Sequence, residues 1–273
     1  MQPAALSIII PPDVPPEEFL PLARHAEAAG VGEVWLWEDC FAESGVVAAA
    51  AVLGATESLR VGLGLMPVPL RNVALTAMEV ATLARLFPGR FAFGIGHGVL
   101  DWMAQAGVRA SSPLTLLREQ ATALRSLLAG ATVSAEGRYV RLDGVQLRWP
   151  PEPAPPLLIG GGRPKTLALA GELGDGVILA GEGSSSEAVA VARAAALLVR
   201  AARTAAGRTG AHQVVQFAEM RSDASADEIT AVRSAFTDAG VTSLPLLALG
   251  PDGRPAGAAG IRQLADAVGA LPG

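Results

Sequence analysis

Eight short apolar runs, each of a length that suits a buried strand, recur along this chain at intervals wide enough to hold a helix. They span residues 6–10, 33–37, 60–65, 91–95, 157–159, 177–179, 214–218 and 243–249. Apolar runs without polar alternation are what strands buried on both faces look like, and helical stretches between them imply parallel crossovers. Helix-period segments fall at 16–29, 46–55, 73–87, 113–128, just after 164, 186–206 and 260–271. In the first of these, Phe19, Leu22, Ala23 and Ala26 share one face, and Gly30 stops the helix. Eight such strands in 273 residues match the usual size of a (β/α)8 TIM barrel. A doubly wound sheet normally has fewer strands and a different glycine fingerprint in its first turn. The expectation is an α/β chain folded as one (β/α)8 barrel domain over residues 1–273. One insertion interrupts the rhythm. Residues 132–134 and 138–149 alternate apolar and polar around Glu136 and Gly137, which predicts a β-hairpin before the fifth strand. The proline-rich stretch 150–156 is then a stiff lead into that strand, not a domain boundary.

Composition narrows the function classes. Hydrophobic residues make up 51% and charged ones 17%, enough for a large core and against disorder. A net charge of −5 without any run of Lys or Arg argues against nucleic acid as a partner. Apolar stretches such as 48–53 are too short to span a bilayer. The N-terminus lacks a basic region followed by an apolar run, so no signal peptide is expected. The single cysteine, Cys40, excludes an internal disulfide framework and fits a reducing compartment. A cytoplasmic protein that binds neither membrane nor nucleic acid is expected.

A barrel of this kind carries its ligand site at the carboxyl ends of the strands. After the second strand come Glu38, Asp39, Cys40 and Phe41, and after the third come Gly64, Leu65, Met66 and Pro67. The fourth is followed by Gly96, His97 and Gly98, then Asp101 and Trp102. The fifth runs into Gly160, Gly161, Gly162, Arg163, Pro164, Lys165 and Thr166. This last cluster is the most informative. A glycine turn between a strand and a helix start lets the backbone approach an anion without Cβ clashes or a bar on positive φ. The first helical turn then presents free N–H groups and the positive end of the helix dipole. Pro164 fits the first-turn position, Gly174 suits the C-cap, and Lys165 adds a cation. The segment is either a phosphate cradle or a tight strand–helix turn without a ligand.

The other candidates also carry two readings each. Asp39 accepts a hydrogen bond from a ring or ribityl hydroxyl, or is a solvated turn aspartate. Cys40 is a nucleophile or redox thiol, or a small buried hydrophobe, and no local charge pattern argues for a lowered pKa. His97, between glycines at a strand end, donates to a cofactor or transfers a proton. Trp102 stacks on a planar substrate or cofactor ring, or caps the barrel. His25 and His212 fall away from the rim and receive no role. The GIGHG run is no dinucleotide fingerprint, since Val99 stands where the last glycine is needed. No metal-ligand spacing and no nucleophile elbow is present, so no metal is expected.

Several segments together resemble the luciferase-like family of flavin- and deazaflavin-dependent oxidoreductases. They are EVWLWEDC, RVGLGLMPVPLRNVALTAMEVATLARLFPGRFAFGIGHGVLDWM, SPLTLLREQATALRSLLAG and LLIGGGRPKTLALAGELGDGVIL. The resemblance spans nearly the whole chain, and ATLARLFPGRFAFGIGHG is its most specific part. It implies a (β/α)8 barrel with a flavin-type cofactor at the carboxyl rim and a hairpin insertion before the fifth strand. It places the cofactor phosphate on Gly161, Gly162, Arg163, Lys165 and Thr166, and the ring against Asp39, Met66, His97 and Gly98. A non-prolyl cis peptide at Gly64–Leu65 would back the ring. His97, Asp39 and Cys40 are the catalytic candidates and Trp102 the substrate-binding one. Two departures matter. Family members that oxidise sugar phosphates carry a histidine after the aspartate and a glutamate after the fourth-strand glycines, where this chain has Cys40 and Val99. Sugar-phosphate dehydrogenation is therefore not expected. The resemblance implies hydride transfer between the deazaflavin coenzyme F-420 and a small organic substrate. The alternatives are an FMN-dependent monooxygenase, or a cofactor-binding or interaction protein without turnover. Family members are commonly dimers, and a homodimer through the alanine-rich helices at 46–55 and 73–87 is expected.

Overall fold

A computed structural model describes residues 2–179, 183–210 and 212–271. Strand β1 (Ala5–Ile10) leads to α1 (Phe19–Ala28), β2 (Glu33–Leu36) to α2 (Gly45–Ala55), and β3 (Arg60–Pro67) to α3 (Val73–Leu86). β4 (Phe91–Gly96) is followed by a short α4 (Leu100–Gln105) and by α5 (Pro113–Leu128). The antiparallel hairpin β5 (Val133–Glu136) and β6 (Arg141–Val145) comes next. Then come β7 (Leu157–Gly161), α6 (Pro164–Leu173), β8 (Gly176–Leu179) and α7 (Ser186–Ala205). The chain ends with β9 (Gln213–Gln216), β10 (Ala218–Arg221), α8 (Ala226–Asp238), β11 (Ser243–Leu249) and α9 (Ala258–Gly269).

The main sheet is parallel throughout and closes on itself. Its order runs β1, β2, β3, β4, β7, β8, β9, β11, and β11 returns to β1 with Ala5 beside Ser243 and Ile8 beside Leu246. With β10 continuing β9 along β11, this is an eight-position TIM barrel with a hairpin inserted before its fifth strand.

Some boundaries differ from the sequence expectation. The seventh strand breaks at Phe217 and runs on to Arg221, and the third extends through Pro67. The hairpin strands are shorter than the alternating pattern, with residues 137–140 forming the turn between them. Two helices had not been anticipated. α4 occupies the stretch after β4, and α8 shows too thin an apolar stripe, since only Ile229, Phe236 and Thr237 of it are buried. Its N-terminal signal was nonetheless present: Ser225 and Glu228 form a reciprocal capping box.

Two apolar layers hold the fold. The larger lies between sheet and helices, and the smaller fills the barrel with Ile9, Trp35, Leu158, Ile178, Val215 and Leu247. β3 and β4 give this interior glycines instead of side chains. A Cβ on Gly62 would collide with the Trp35 indole, and one on Gly94 with Ile178. A Cβ on Gly64 would lie 2.8 Å from Phe217 and 2.9 Å from Trp35. Trp35 thus takes the volume that β3 vacates and Ile178 that left by β4, which keeps interior packing dense. The indole Nε1 donates to Glu33 Oε2 at 2.7 Å. Burial pushes the Glu33 carboxyl up, and the Trp35 bond and Arg60, 3.4 Å away, only partly offset it.

Two expectations follow from this interior. Gly62→Val should cost about 1–3 kcal/mol or more by overpacking. Combined with Trp35→Leu, it should cost less than the sum of the two, because the new side chain enters vacated volume. Denaturant titrations measure this, and strictly additive costs would contradict the packing. Glu33 has a raised folded pKa, so its stabilising contribution is full below its unfolded value of 4.5 and declines as pH rises through the folded value. Glu33→Gln should therefore gain stability relative to wild type as pH rises above 4.5, and a difference independent of pH would refute it.

Candidate functional site

The glycine turn closes β7 onto α6. A Cβ on Gly160 would collide with Leu65, and one on Gly161 with the Thr166 methyl. None of Gly160, Gly161 and Gly162 has a positive φ. The first two are there for room, and the sequence argument from handedness does not hold at this turn. α6 begins with Pro164, and its N-cap Arg163 makes no side-chain capping bond. The Arg163 carbonyl accepts from the N–H groups of Thr166 and Leu167 at 2.9 and 3.0 Å. No acidic residue stands in the first turn, while Arg163, Lys165 and Gly162 are exposed. An uncapped helix start flanked by cations is an anion-binding geometry.

His97 stands beside this cradle and not in the barrel mouth. Along β4, Phe93 and Ile95 pack outward into the helix-side core, whereas Gly94 and Gly96 face the interior. His97 continues the outward row, and its Nε2 lies 3.2 Å from Thr166 Oγ1. Burial lowers its pKa, the backbone of Pro113 at the start of α5 partly offsets this, and the Arg163 charge lowers it further. The imidazole therefore sits between the N-terminal ends of α5 and α6, with a buried Nδ1 that makes no well-aligned hydrogen bond among the described residues. Met66 also turns outward: it pairs with Ile95 and is fully buried in the outer core. Gly98 takes a φ of 67°, and a Cβ there would press on Pro67 and Met103.

The mouth itself has two unlike walls. On one, the half-buried Leu65 lies across Gly96 and Gly160. The Gly64–Leu65 peptide is cis, where the resemblance puts such a bond, and a second non-prolyl cis peptide joins Cys40 to Phe41. On the other wall stand Trp37 and Phe217, with ring centroids 5.7 Å apart, and Leu249. The Trp37 Nε1 is buried without a partner among the described residues. Asp39 is half-buried just beyond β2, and its carbonyl accepts from Ala42 N–H at 3.0 Å. Trp102 is half-buried on α4. His25 pairs with Asp266 far along the chain, 2.8 Å away, consistent with its having no part in the rim.

Sequence reasoning missed the group that braces the β2 loop. Arg71 donates to both oxygens of Glu38 at 2.6 Å, and its Nε is 3.2 Å from Glu79. A buried guanidinium shared by two carboxylates ties the end of β2 to α3. Burial, and the Glu38 charge, push Glu79 up despite Arg71. No motif marks this network, because its members lie 33 residues apart. Its charges also shape Cys40. Burial pushes the thiol up, Glu38 and Asp39 push it further, and Arg71 offsets them only in part. That environment works against a nucleophilic thiolate. Among the described residues no group of His, Cys, Asp and Glu could hold a metal ion.

The family described as luciferase-like monooxygenase matches residues 4–267. The 5,10-methylenetetrahydromethanopterin reductase of Methanolobus tindarius is 31% identical over 194 residues, covering 70% of this chain and 59% of that protein. The F-420-dependent glucose-6-phosphate dehydrogenase of Mycobacterium avium (strain 104) is 31% identical over 177 residues, covering 60% and 53%. The chain thus spans little more than half the length of these curated relatives. Among solved structures, an F-420-dependent secondary alcohol dehydrogenase in complex with an F-420–acetone adduct superposes with a TM-score of 0.83. It shares 18% identity over 98% of both chains, which is a likeness of fold.

Because its pKa is raised, Cys40 should alkylate with iodoacetamide more slowly than glutathione at the same neutral pH. Faster modification would show a thiolate that the surrounding carboxylates do not permit.

Proposed function

This chain belongs to the luciferase-like monooxygenase family, and from that premise we propose that it is an oxidoreductase moving a hydride between coenzyme F-420 and a small organic substrate. One observation carries the reading: an uncapped helix start with Arg163 and Lys165 opens beside a glycine-floored barrel mouth. The curated relatives named for the same coenzyme support it. The residues fit such a group, since Leu65, seated in the room left by Gly96 and Gly160, gives a planar ring a flat apolar wall, and Arg163 and Lys165 stand exposed at the helix start for a phosphate. When bound, a deazaflavin supplies the hydride-carrying ring.

Everything else is the work of the chain. Gly161, Gly162, Arg163, Lys165 and Thr166 hold the phosphate. His97, neutral and oriented by Thr166, braces the start of α6 from behind, a role nearer the anchor than the ring. Gly64, Leu65 and the backbone of Met66 and Gly98 back the ring, and Leu65 excludes water from that face. Trp37 and Phe217 wall the substrate side, with Trp102 at its edge. Asp39 is the carboxylate placed to hold the proton that accompanies hydride exchange. Cys40 contributes shape and no chemistry. We further propose that the barrel works as one domain in the cytoplasm. Its homodimer would form through α2 and α3, where Val47, Leu75 and Met78 are 67%, 46% and 57% exposed.

Spectroscopic titration with F-420 and with FMN tests the reading. Saturable F-420 binding is expected, with Gly162→Val weakening it by about tenfold or more because a β-branched side chain blocks the approach. FMN binding alone would turn the function toward the monooxygenase alternative, and binding of neither would end it. Unchanged affinity in a folded Gly162→Val protein would remove the cradle. For the dimer, light scattering should give about twice 27.8 kDa, and a mass of 27.8 kDa would exclude it.

A further inference from the structure

A second cavity of about 520 Å³ lies outside the barrel mouth, between the start of α3, the loop after α4, α5 and the hairpin tip. It shares no residue with the cradle or the mouth. Its floor carries the buried Val68, Val73, Leu116 and Val140, Asn72, Gln120 and Tyr139 add polar groups, and Leu70 and Val108 stand partly exposed at its open edge. Its charge is unusual for this protein. The chain carries 26 acidic residues against 21 basic ones, yet no Asp or Glu lines this space. Two arginines do. Arg71 is committed to Glu38 and Glu79, whereas Arg109, exposed at the rim, makes no hydrogen bond or ion pair among the described residues. The volume falls in the range of small-molecule sites, and the lining sets apolar floor residues beside polar and cationic ones.

We infer that this cavity binds a small organic carboxylate, its apolar body against Val68, Leu116 and Val140 and its charge on the Arg109 guanidinium. A planar guanidinium fork matches a carboxylate with two parallel N–H donors, which is the arrangement an unpaired arginine at an apolar pocket offers. A neutral apolar molecule would leave that donor set unused. A bare inorganic anion would leave the apolar walls wet. The ligand therefore needs both parts.

Isothermal titration of the full chain with octanoate, 1-octanol and acetate tests the assignment. Octanoate should bind saturably, and octanol and acetate should each bind at least about tenfold more weakly, since each keeps only half of the recognition. Arg109→Ala should reduce octanoate to the level of octanol and leave octanol unchanged. Leu70→Trp, which narrows the entrance, should abolish both. Absence of saturable octanoate binding would overturn the assignment, as would full octanoate affinity in the Arg109→Ala protein. Displacement of octanoate by the ring cofactor would also overturn it, by giving the cavity to the cofactor's own side chain.

Discussion

The Trp35 indole fills the barrel because Gly62 and Gly64 of β3 leave it room, while Ile178 takes the room beside Gly94 of β4. Gly62, Gly64 and Gly94 turn toward the interior, and a methyl group on any of them would strike Trp35, Phe217 or Ile178. The same bareness continues upward at Gly96 and beyond it at Gly160, where Leu65 lies across the two glycines. The interior is thus dense low in the barrel and smooth-walled at the β3–β4–β7 side of the mouth. A flat ring fits against the single apolar surface that Leu65 presents there, and larger residues at the two glycines would push Leu65 into the ring's place.

Charge follows the same division. On the β7 side, the start of α6 has no side-chain cap, and Arg163 and Lys165 stand beside it. On the β2 side, Glu38 and Glu79 share Arg71, and Glu43 is pushed up by burial and by neighbouring Asp39, Glu38 and Asp13. The rim therefore attracts anions at one end only. In the proposed reading, that asymmetry would orient a phosphate-bearing molecule across the mouth before any specific contact forms. It also explains why Cys40, on the acidic side, stays a thiol.

The alternation of eight apolar runs with helical segments made the barrel legible, because strands buried on both faces leave an unbroken apolar signature. The hairpin was legible from its period of two, and the cis peptide at Gly64–Leu65 from the family resemblance. What stayed hidden depends on contacts between distant segments. His97 was read as a ring contact, but strand alternation carries it outward to Thr166, 69 residues away. Gly161 was read as space for a phosphate, and the Thr166 methyl occupies that space. The Arg71 brace and the aromatic wall of Trp37 and Phe217 have no local pattern at all. α8 was missed because a helix that buries so little shows no stripe, although its capping box could have been found.

The proposed anchor for an anionic cofactor is the start of α6, with His97 packed beside it. The chain has three histidines, so each imidazole can be followed by ¹⁵N NMR. The account predicts that His97 stays neutral where an ordinary histidine, with a pKa of about 6.5, is half protonated. It also predicts that its ring nitrogens shift when the cofactor is added, while those of His25 hold still. A His97 that titrates like a free histidine and ignores the cofactor would contradict it.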